Sequence, residues 1–407
     1  MDIAITGRGV ISSIGQSATA FHSSLAANRT KISPPPFAPR PEFDGVWVSN
    51  IEDFYASDWM PEQVAAGTDR FQQYALAAAV QAVRDAGFES PPDALRTATV
   101  IGSALGGVET IAGSQAGLSE RGPDGIARKF HIQAWPNMAA AQIALRWQLH
   151  GPLLTIATAC ASSIDAIGIA ARMIASGQAD YAIAGGADAS MTELRVLSGG
   201  RYGMFQREPD PAKACRPFDR DRRGVVLGEG AGVVFLERLD LARARNAEIH
   251  GIVRGYASLS DGHHVSSPGP QGTWQAKTIG LALADAETAP QRIDAVMAHG
   301  TGTPAGDLSE IRAINLAFGA AAVKLRVTSL KGHIGHSAGG AGALSLIAGL
   351  ECMKAGALVP TAGTINVNPE ARFQVPTGRP APGAIDTMLV NAFGFGGQNA
   401  ALVVTAI

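Results

Sequence analysis

Cysteine is scarce in this chain of 407 residues, which has only Cys160, Cys215 and Cys352. They form no CxxC pair and no spacing typical of a metal site, and their odd number argues against a disulfide framework. Free thiols fit a reducing compartment, so we predict a cytoplasmic protein. Residues 1–7 lack the charged segment that opens a signal peptide, and their pattern indicates a first strand.

Charges and long apolar runs are sparse as well. Charged residues make up 17% of the chain and the net charge is −2, so electrostatics indicate neither a nucleic acid nor a membrane as a partner. No 18 apolar residues follow one another, and we predict no transmembrane helix. What the chain has in quantity is hydrophobic residues, at 46%, and 48 glycines. This composition predicts a large folded core with close backbone contacts.

Strand-like and helix-like patterns alternate along the chain, which predicts an α/β fold. Residues 153–159 and 161–172 are typical of a strand, a sharp corner and a helix. About half a chain later, residues 325–329 and 340–353 repeat this order. The repeat indicates two related halves that meet at a shared site. The polar segment 205–224 is predicted to be a surface loop.

Cys160 lies at the first of these corners, where a strand ends and a helix begins. The unpaired backbone N–H groups and the positive end of the helix dipole at such a position favour a thiolate, the form that a nucleophile needs. An isolated cysteine after a strand is more often a small buried hydrophobic residue. The neighbouring motifs reverse that preference.

Two histidines follow predicted buried strands and are flanked by glycine: His299 and His336. Ligands bind at strand ends in α/β sheets, so we expect both histidines, Cys160 and Lys331 to face one site. A metal site is a competing interpretation, although HExxH and paired-cysteine spacings are absent and we predict no metal. A Cys–His hydrolase is another, but it leaves Lys331 and one histidine without a role.

These motifs resemble those of the β-ketoacyl synthases of the thiolase superfamily, most closely the elongating type I and II ketoacyl-acyl-carrier-protein synthases. The matching segments are 158–163 (TACASS), 299–307 (HGTGTPAGD), Lys331 with Gly335-His336, and 393–397 (FGFGG). The likeness covers essentially the whole chain. It implies a thiolase-like five-layer α/β/α/β/α fold made of two similar halves. Residues 1–245 would carry the nucleophilic cysteine and residues 246–407 both catalytic histidines.

The resemblance implies an acyltransferase that extends an acyl chain by two carbons. The chain would be held as a thioester on Cys160 and condensed with malonyl-acyl carrier protein as carbon dioxide leaves. His299 and His336 would stabilise the enolate. The backbone N–H groups of Cys160 and Phe395 would form the oxyanion hole, and the Phe395 ring would gate the site.

Other residues take supporting roles by the same resemblance. Lys331 would orient the site through a hydrogen bond with Glu310, and Asp307 and Glu310 would lie just behind the residues that touch substrate. Residues expected to contact the phosphopantetheine arm are Thr301, Thr303 and Ser266; those expected to line the acyl pocket are Leu105 and Trp135. Trp135 replaces an aliphatic residue of the family and Gly199 a phenylalanine. The acyl length and the pathway (fatty acid, polyene or type II polyketide) therefore stay open.

The implied partners are acyl carrier protein and a second synthase subunit. No cofactor is implied, because the substrates arrive on the 4′-phosphopantetheine of the carrier. A homodimer is expected, and a heterodimer with a chain-length-factor-like subunit is possible. The alternative function is that this chain is itself such a non-catalytic partner. Those partners typically lack the nucleophilic cysteine, which this chain has.

Overall fold

A computed structural model describes residues 2–407, in which ten strands form one mixed sheet. The strands are β1 (Ile3–Ile11), β2 (Thr97–Gly102), β3 (Leu153–Ile156), β4 (Tyr181–Asp188), β5 (Gly230–Arg238), β6 (Gly251–Ser260), β7 (Ala295–Met297), β8 (Arg326–Thr328), β9 (Thr387–Gly394) and β10 (Gln398–Thr405). Across the sheet they lie in the order β8-β7-β9-β10-β6-β1-β5-β4-β2-β3.

The first five strands and the last five have the same topology. The order is β3-β2-β4-β5-β1 in one half and β8-β7-β9-β10-β6 in the other. In each half the first three strands of this order are parallel and the remaining pairings are antiparallel. The halves join edge to edge where Ile3 to Ile5 of β1 pair with β6. The two similar halves are therefore confirmed; the boundary between residues 245 and 246 stays a prediction.

Helices cover the half-sheets and separate them. The longer helices are α1 (Ala18–Ala26), α2 (Arg70–Asp85), α3 (Val108–Arg121), α4 (Met138–Trp147), α5 (Ser162–Ala175), α6 (Glu193–Tyr202), α7 (Thr273–Asp285), α8 (Pro304–Phe318) and α9 (Ala341–Ala355). The central core contains α5 and α9 with both half-sheets, whereas α2 and α4 cover the outer face of one half and α7 and α8 that of the other. This arrangement is the predicted five-layer α/β/α/β/α fold.

Alternating side chains of β5 show how a strand serves two layers. Val234 and Leu236 pack in the central core. Val233 and Phe235 point the other way and pack with α2. Because successive strand residues face opposite sides of a sheet, a strand between two helical layers must be apolar throughout.

The prediction of a surface loop over residues 205–224 is wrong for its middle part. Cys215 to Asp219 are buried, and the backbone N–H of Phe218 donates to Asp307 Oδ2 at 2.7 Å. The Arg222 guanidinium is buried too and donates to the carbonyl oxygens of Asp219 and Pro304. The polar composition of this segment predicts a solvent-exposed loop, but its polar groups are hydrogen-bonded inside the protein.

Among residues 2–407, we find no helix that combines the length and the apolar character needed to span a bilayer.

Candidate active site

The Cys160 corner is a tight turn between β3 and α5. Residues Ala159–Ala161 form one 3-10 turn before α5 begins at Ser162, and Ala159 has a left-handed backbone, with φ of +50°. The Ser162 hydroxyl donates to the Ala159 carbonyl at 2.6 Å and accepts from the Thr158 N–H at 3.0 Å. These bonds hold the thiol just in front of the helix, as the sequence predicts.

The Cys160 sulfur lies 3.0 Å from His336 Nε2. Burial raises the pKa of this thiol to about 11, although the nearby Lys331 charge and a hydrogen bond from the Phe395 N–H act in the opposite direction. The predicted thiolate is therefore wrong for the resting site. Removal of the sulfur from water outweighs the helix end and the cation, so the thiol is protonated at neutral pH.

His299 and His336 meet edge to face beside the thiol. Their ring centroids are 5.2 Å apart at an angle of 83°. One ligand atom from each histidine and the Cys160 sulfur lie within 4.8 Å of one another. Burial lowers the pKa of both histidines well below 6.5, and the Lys331 charge lowers it further. Both rings are therefore neutral at physiological pH, and each has one donor and one acceptor nitrogen.

Backbone contacts fix both histidine loops. The Glu310 carboxylate accepts the N–H of His299 at 2.9 Å and that of Gly300 at 2.6 Å. The His336 N–H donates to the Val226 carbonyl at 2.8 Å. Within residues 2–407, His336 Nδ1 is buried without a hydrogen-bond partner. No contact therefore fixes which nitrogen of His336 holds the proton.

Lys331 acts on the site through its charge. It is buried, which lowers the pKa of its ammonium. In the part of the chain that the structure describes, this ammonium makes no hydrogen bond or ion pair. The predicted hydrogen bond to Glu310 is therefore wrong, since that carboxylate accepts the N–H groups of the His299 loop and the side-chain amide of Asn391, at 3.3 Å. The two side chains still interact through their charges: the Glu310 carboxylate raises the pKa of Lys331.

Asp307 shapes the loop that carries Thr301 and Thr303. Its buried carboxylate accepts the N–H groups of Phe218, at 2.7 Å, and Gly302, at 3.0 Å. The two threonine hydroxyls share a hydrogen bond of 2.8 Å, and both side chains are partly exposed. Thr303 also caps α8 by accepting the Gly306 N–H. The loop that follows His299 thus presents two partly exposed hydroxyls.

Phe395 begins a short turn at the end of β9, next to Cys160. Its ring is 45% exposed, and Gly396, which follows it, has a left-handed φ of +81°. The Phe395 ring lies 6.2 Å from that of Tyr202, whose hydroxyl donates to Ser266 Oγ. Ser266 is therefore close to the Phe395 ring but already hydrogen-bonded.

Leu105 and Trp135 lie on neighbouring segments of the first half. The Leu105 N–H donates to Asp188 Oδ1 at 3.1 Å. The Trp135 ring lies 5.3 Å from that of His131 and is 52% exposed. Trp135 thus belongs to the surface of a single chain, and its place in the acyl pocket stays a prediction.

Asp188 is a site residue that sequence reasoning missed. Its buried carboxylate accepts the Ser103 hydroxyl at 2.7 Å and the Gly339 N–H at 2.6 Å, besides the N–H groups of Ala104 and Leu105. It therefore ties the Leu105 loop to the segment after His336. The sequence does contain a signal that could have identified it, because Asp188 is an acidic residue at the end of the otherwise apolar strand β4.

Known proteins match this chain along its length. Residues 1–242 match the family model of the beta-ketoacyl synthase N-terminal domain and residues 250–364 that of the C-terminal domain. A 3-oxoacyl-[acyl-carrier-protein] synthase 2 of Vibrio cholerae is 35% identical over 408 residues, with 98% of each chain covered. Its namesake in Coxiella burnetii is also 35% identical and covers 100% of this chain and 98% of its own.

Solved structures agree with these relatives. The ishigamide ketosynthase/chain length factor superposes with a TM-score of 0.92 at 31% identity, over 100% of this chain and 99% of its own. AntDE:AntF, a type II polyketide ketosynthase in complex with its acyl-carrier protein, gives 0.90 at 25% identity, with the same coverage. The chain belongs to the β-ketoacyl synthase family of condensing acyltransferases.

Proposed function

We propose that this chain is a catalytically active elongating ketosynthase in which Cys160, His299 and His336 perform decarboxylative condensation. The observation that carries the proposal is the 3.0 Å contact between the Cys160 sulfur and His336 Nε2, with His299 facing the same space. A nucleophile beside two neutral imidazoles suits a reaction that needs hydrogen-bond donors more than a strong base.

In the first step, the Cys160 sulfur attacks the thioester of an acyl carrier protein. The thiol proton passes through His336 to the departing carrier sulfur, and the acyl group becomes a thioester on Cys160. The high pKa of the thiol makes a proton acceptor at hydrogen-bond distance necessary, and His336 Nε2 is in that position. Backbone N–H groups of Cys160 and Phe395 would stabilise the oxyanion.

In the second step, malonyl-acyl carrier protein loses carbon dioxide and its thioester becomes an enolate. The N–H group of His299 would donate to the enolate oxygen, and so would that of His336 in the tautomer that protonates Nε2. Such donors are worth about 3–4 kcal/mol each. The enolate carbon then attacks the thioester carbonyl on Cys160, whose sulfur leaves and regains a proton from solvent. The product is longer by two carbons.

The phosphopantetheine arm would enter along Thr301, Thr303 and Ser266. The two partly exposed threonine hydroxyls support this path, because they can bond the polar groups of the arm. The ring of Phe395, exposed and close to Ser266 through Tyr202, would open and close it. The arm belongs to the substrate, and we propose no resident cofactor or metal, which elemental analysis of the purified enzyme would test.

A second subunit would cover the free edge of the sheet. Strand β3 ends the sheet, and Leu153 and Leu154 are 48% and 39% exposed there. Exposed apolar edge strands are usually paired or covered. We propose a dimer in the cytoplasm, with a second copy or with a chain-length-factor-like subunit. The pathway would be fatty-acid, polyene or type II polyketide synthesis.

Acylation of Cys160 tests the function directly. Wild-type enzyme is incubated with acyl-carrier proteins, and the peptide containing Cys160 is analysed by mass spectrometry. We expect an acyl adduct on Cys160, and a chain longer by two carbons after addition of malonyl-carrier protein. Cys160→Ala is the matched control. A folded enzyme that takes no acyl group would instead favour the non-catalytic partner, and net thioester hydrolysis would favour a hydrolase.

A further inference from the structure

Arg195 lies in the first turn of α6. Burial lowers the pKa of its guanidinium, and the charges of Asp188 and Glu229 raise it, but neither carboxylate touches it. Its backbone N–H donates to the Thr192 hydroxyl at 3.3 Å. Among residues 2–407, its Nη1 is shielded from solvent and has no hydrogen-bond partner, and its guanidinium makes no ion pair. An unpaired guanidinium nitrogen away from water is costly, and something else is expected to bind it.

Two contacts place α6 beside the reacting groups. A Cβ at Gly199 of α6 would lie 3.7 Å from Leu227, and Leu227 forms a bridge with His336. The N-terminal end of α6 comes a few residues after Asp188, whose carboxylate accepts the N–H of Leu105. Arg195 precedes Gly199 by four residues and therefore lies on the same face of α6. Its charge also lowers the pKa of both Cys160 and His336.

The carboxylates near Arg195 do not neutralise it by direct contact. Asp188 is occupied by four donors from the Ser103–Leu105 loop and Gly339. Glu229 Oε1 accepts the Ile51 N–H at 2.7 Å. Its other oxygen, Oε2, is buried without a hydrogen-bond partner within the described part of the chain. Arg195 thus offers a free donor in surroundings that are already acidic, which suits a neutral oxygen better than another carboxylate.

We propose that Arg195 is a specificity-determining residue that donates a hydrogen bond to a keto or hydroxyl oxygen on the acyl chain bound to Cys160. A plain alkyl chain would leave the guanidinium nitrogen unpaired, and sites with a buried polar group discriminate strongly against analogues that lack its partner. The inference rests on the proposed function, since it needs an acyl chain on Cys160. It adds the chemical class of that chain.

Competition between matched thioesters tests the inference. Wild-type enzyme is acylated with pantetheine thioesters of equal length that carry an alkyl chain, an internal keto group or a terminal carboxylate, and the rate of Cys160 acylation is followed by mass spectrometry. We expect the keto substrate to react roughly 10- to 100-fold faster than the alkyl one, the range for a charge-assisted hydrogen bond. Arg195→Leu should remove this preference, and Arg195→Lys should keep part of it.

The ratio between two substrates is measured in one preparation, so partial unfolding of a variant does not affect it. Arg201→Leu, on an exposed position of the same helix, should keep the wild-type ratio. Equal rates for alkyl and keto chains in wild-type enzyme would overturn the inference, as would a preference for the carboxylate or one that survives in Arg195→Leu. Absence of any Cys160 acylation in folded enzyme would contradict the proposed function instead.

Discussion

The Cys160 corner and its counterpart in the second half have the same backbone and different uses. β3 leads into the 3-10 turn Ala159–Ala161 and then α5, whereas β8 leads, through a short helix, into the 3-10 turn Ala338–Gly340 and then α9. The alanine that opens each turn is left-handed, with φ of +50° and +46°. Cys160 and Gly339 therefore occupy equivalent places.

The surroundings of the two corners explain the difference. Cys160 faces the space that His299 and His336 line. Gly339 has no room for a side chain, because a Cβ there would lie 2.7 Å from Ala104 N and 2.8 Å from Asp188 Oδ2. One corner carries the thiol that we propose as the nucleophile, and the other packs closely against the first half. Equal topology thus does not imply equal function; the packing around each turn decides it.

The largest expected effect is that of removing the Cys160 thiol. In Cys160→Ala we expect no condensation product, because no acyl group can be held on the enzyme. Product formation from acyl- and malonyl-carrier proteins measures this. Cys352→Ala, which removes a buried thiol in α9, should leave most activity in place. Chain extension by Cys160→Ala would contradict the assignment.

His299→Ala separates the contribution of the second half from that of the first. Loss of one oxyanion donor should slow malonyl decarboxylation about 10²- to 10³-fold, whereas acylation of Cys160, which uses His336, should continue. Carbon dioxide release and mass spectrometry follow the two steps. Undiminished carbon dioxide release would remove His299 from the mechanism.

The pH dependence of alkylation shows how far the buried Cys160 thiol differs from an ordinary thiol in its pKa. Since the pKa of Cys160 is raised to about 11, its reaction with iodoacetamide should accelerate roughly tenfold per pH unit, well past the ordinary value of 9.0, until about pH 11. The unfolded chain supplies the reference titration. If the rate instead reached a plateau near neutral pH, Cys160 would be a thiolate there, as its position at the end of the helix predicts.

A methyl group at Gly339 tests whether the second corner is as crowded as its contacts indicate. Gly339→Ala should destabilise the fold by about 1–3 kcal/mol, because backbone must move to admit the Cβ. Gly113→Ala in α3, where nothing lies within 4 Å, should be stabilising by about 0.5–1 kcal/mol. Urea unfolding compares the two variants. Equal stabilities would mean that the corner can relax.

The smallest expected effect is that of Trp135→Ala in the first half. We expect a shift in the product-length profile with little change in total rate, because Trp135 is exposed on the surface of the chain and is predicted to border the acyl pocket. Chromatography of the products measures it. An unchanged profile would remove Trp135 from the pocket.

Local patterns predict the corners well, and long-range contacts set their chemistry. The strand before Cys160 and the glycines around His299 are neighbours in sequence, so a short window suffices. The pKa of Cys160 depends on burial and on the Lys331 charge, and that of Lys331 depends on burial and on the Glu310 charge. Asp188 acts through hydrogen bonds with the distant residues Ser103 and Gly339, and the lack of a partner for Arg195 Nη1 is a property of the folded chain. No motif or residue spacing in the sequence predicts these long-range contacts and pKa shifts.

The covalent connection between β5 and β6 has a genetic consequence. Two identical half-length chains assembled around a twofold axis would need the same residue at both turns, so a thiol at one would force a thiol into the crowded place at the other. A continuous polypeptide encodes each turn separately. The first turn can then carry a reactive cysteine, while the second keeps a glycine, the residue without a Cβ that its crowded surroundings require.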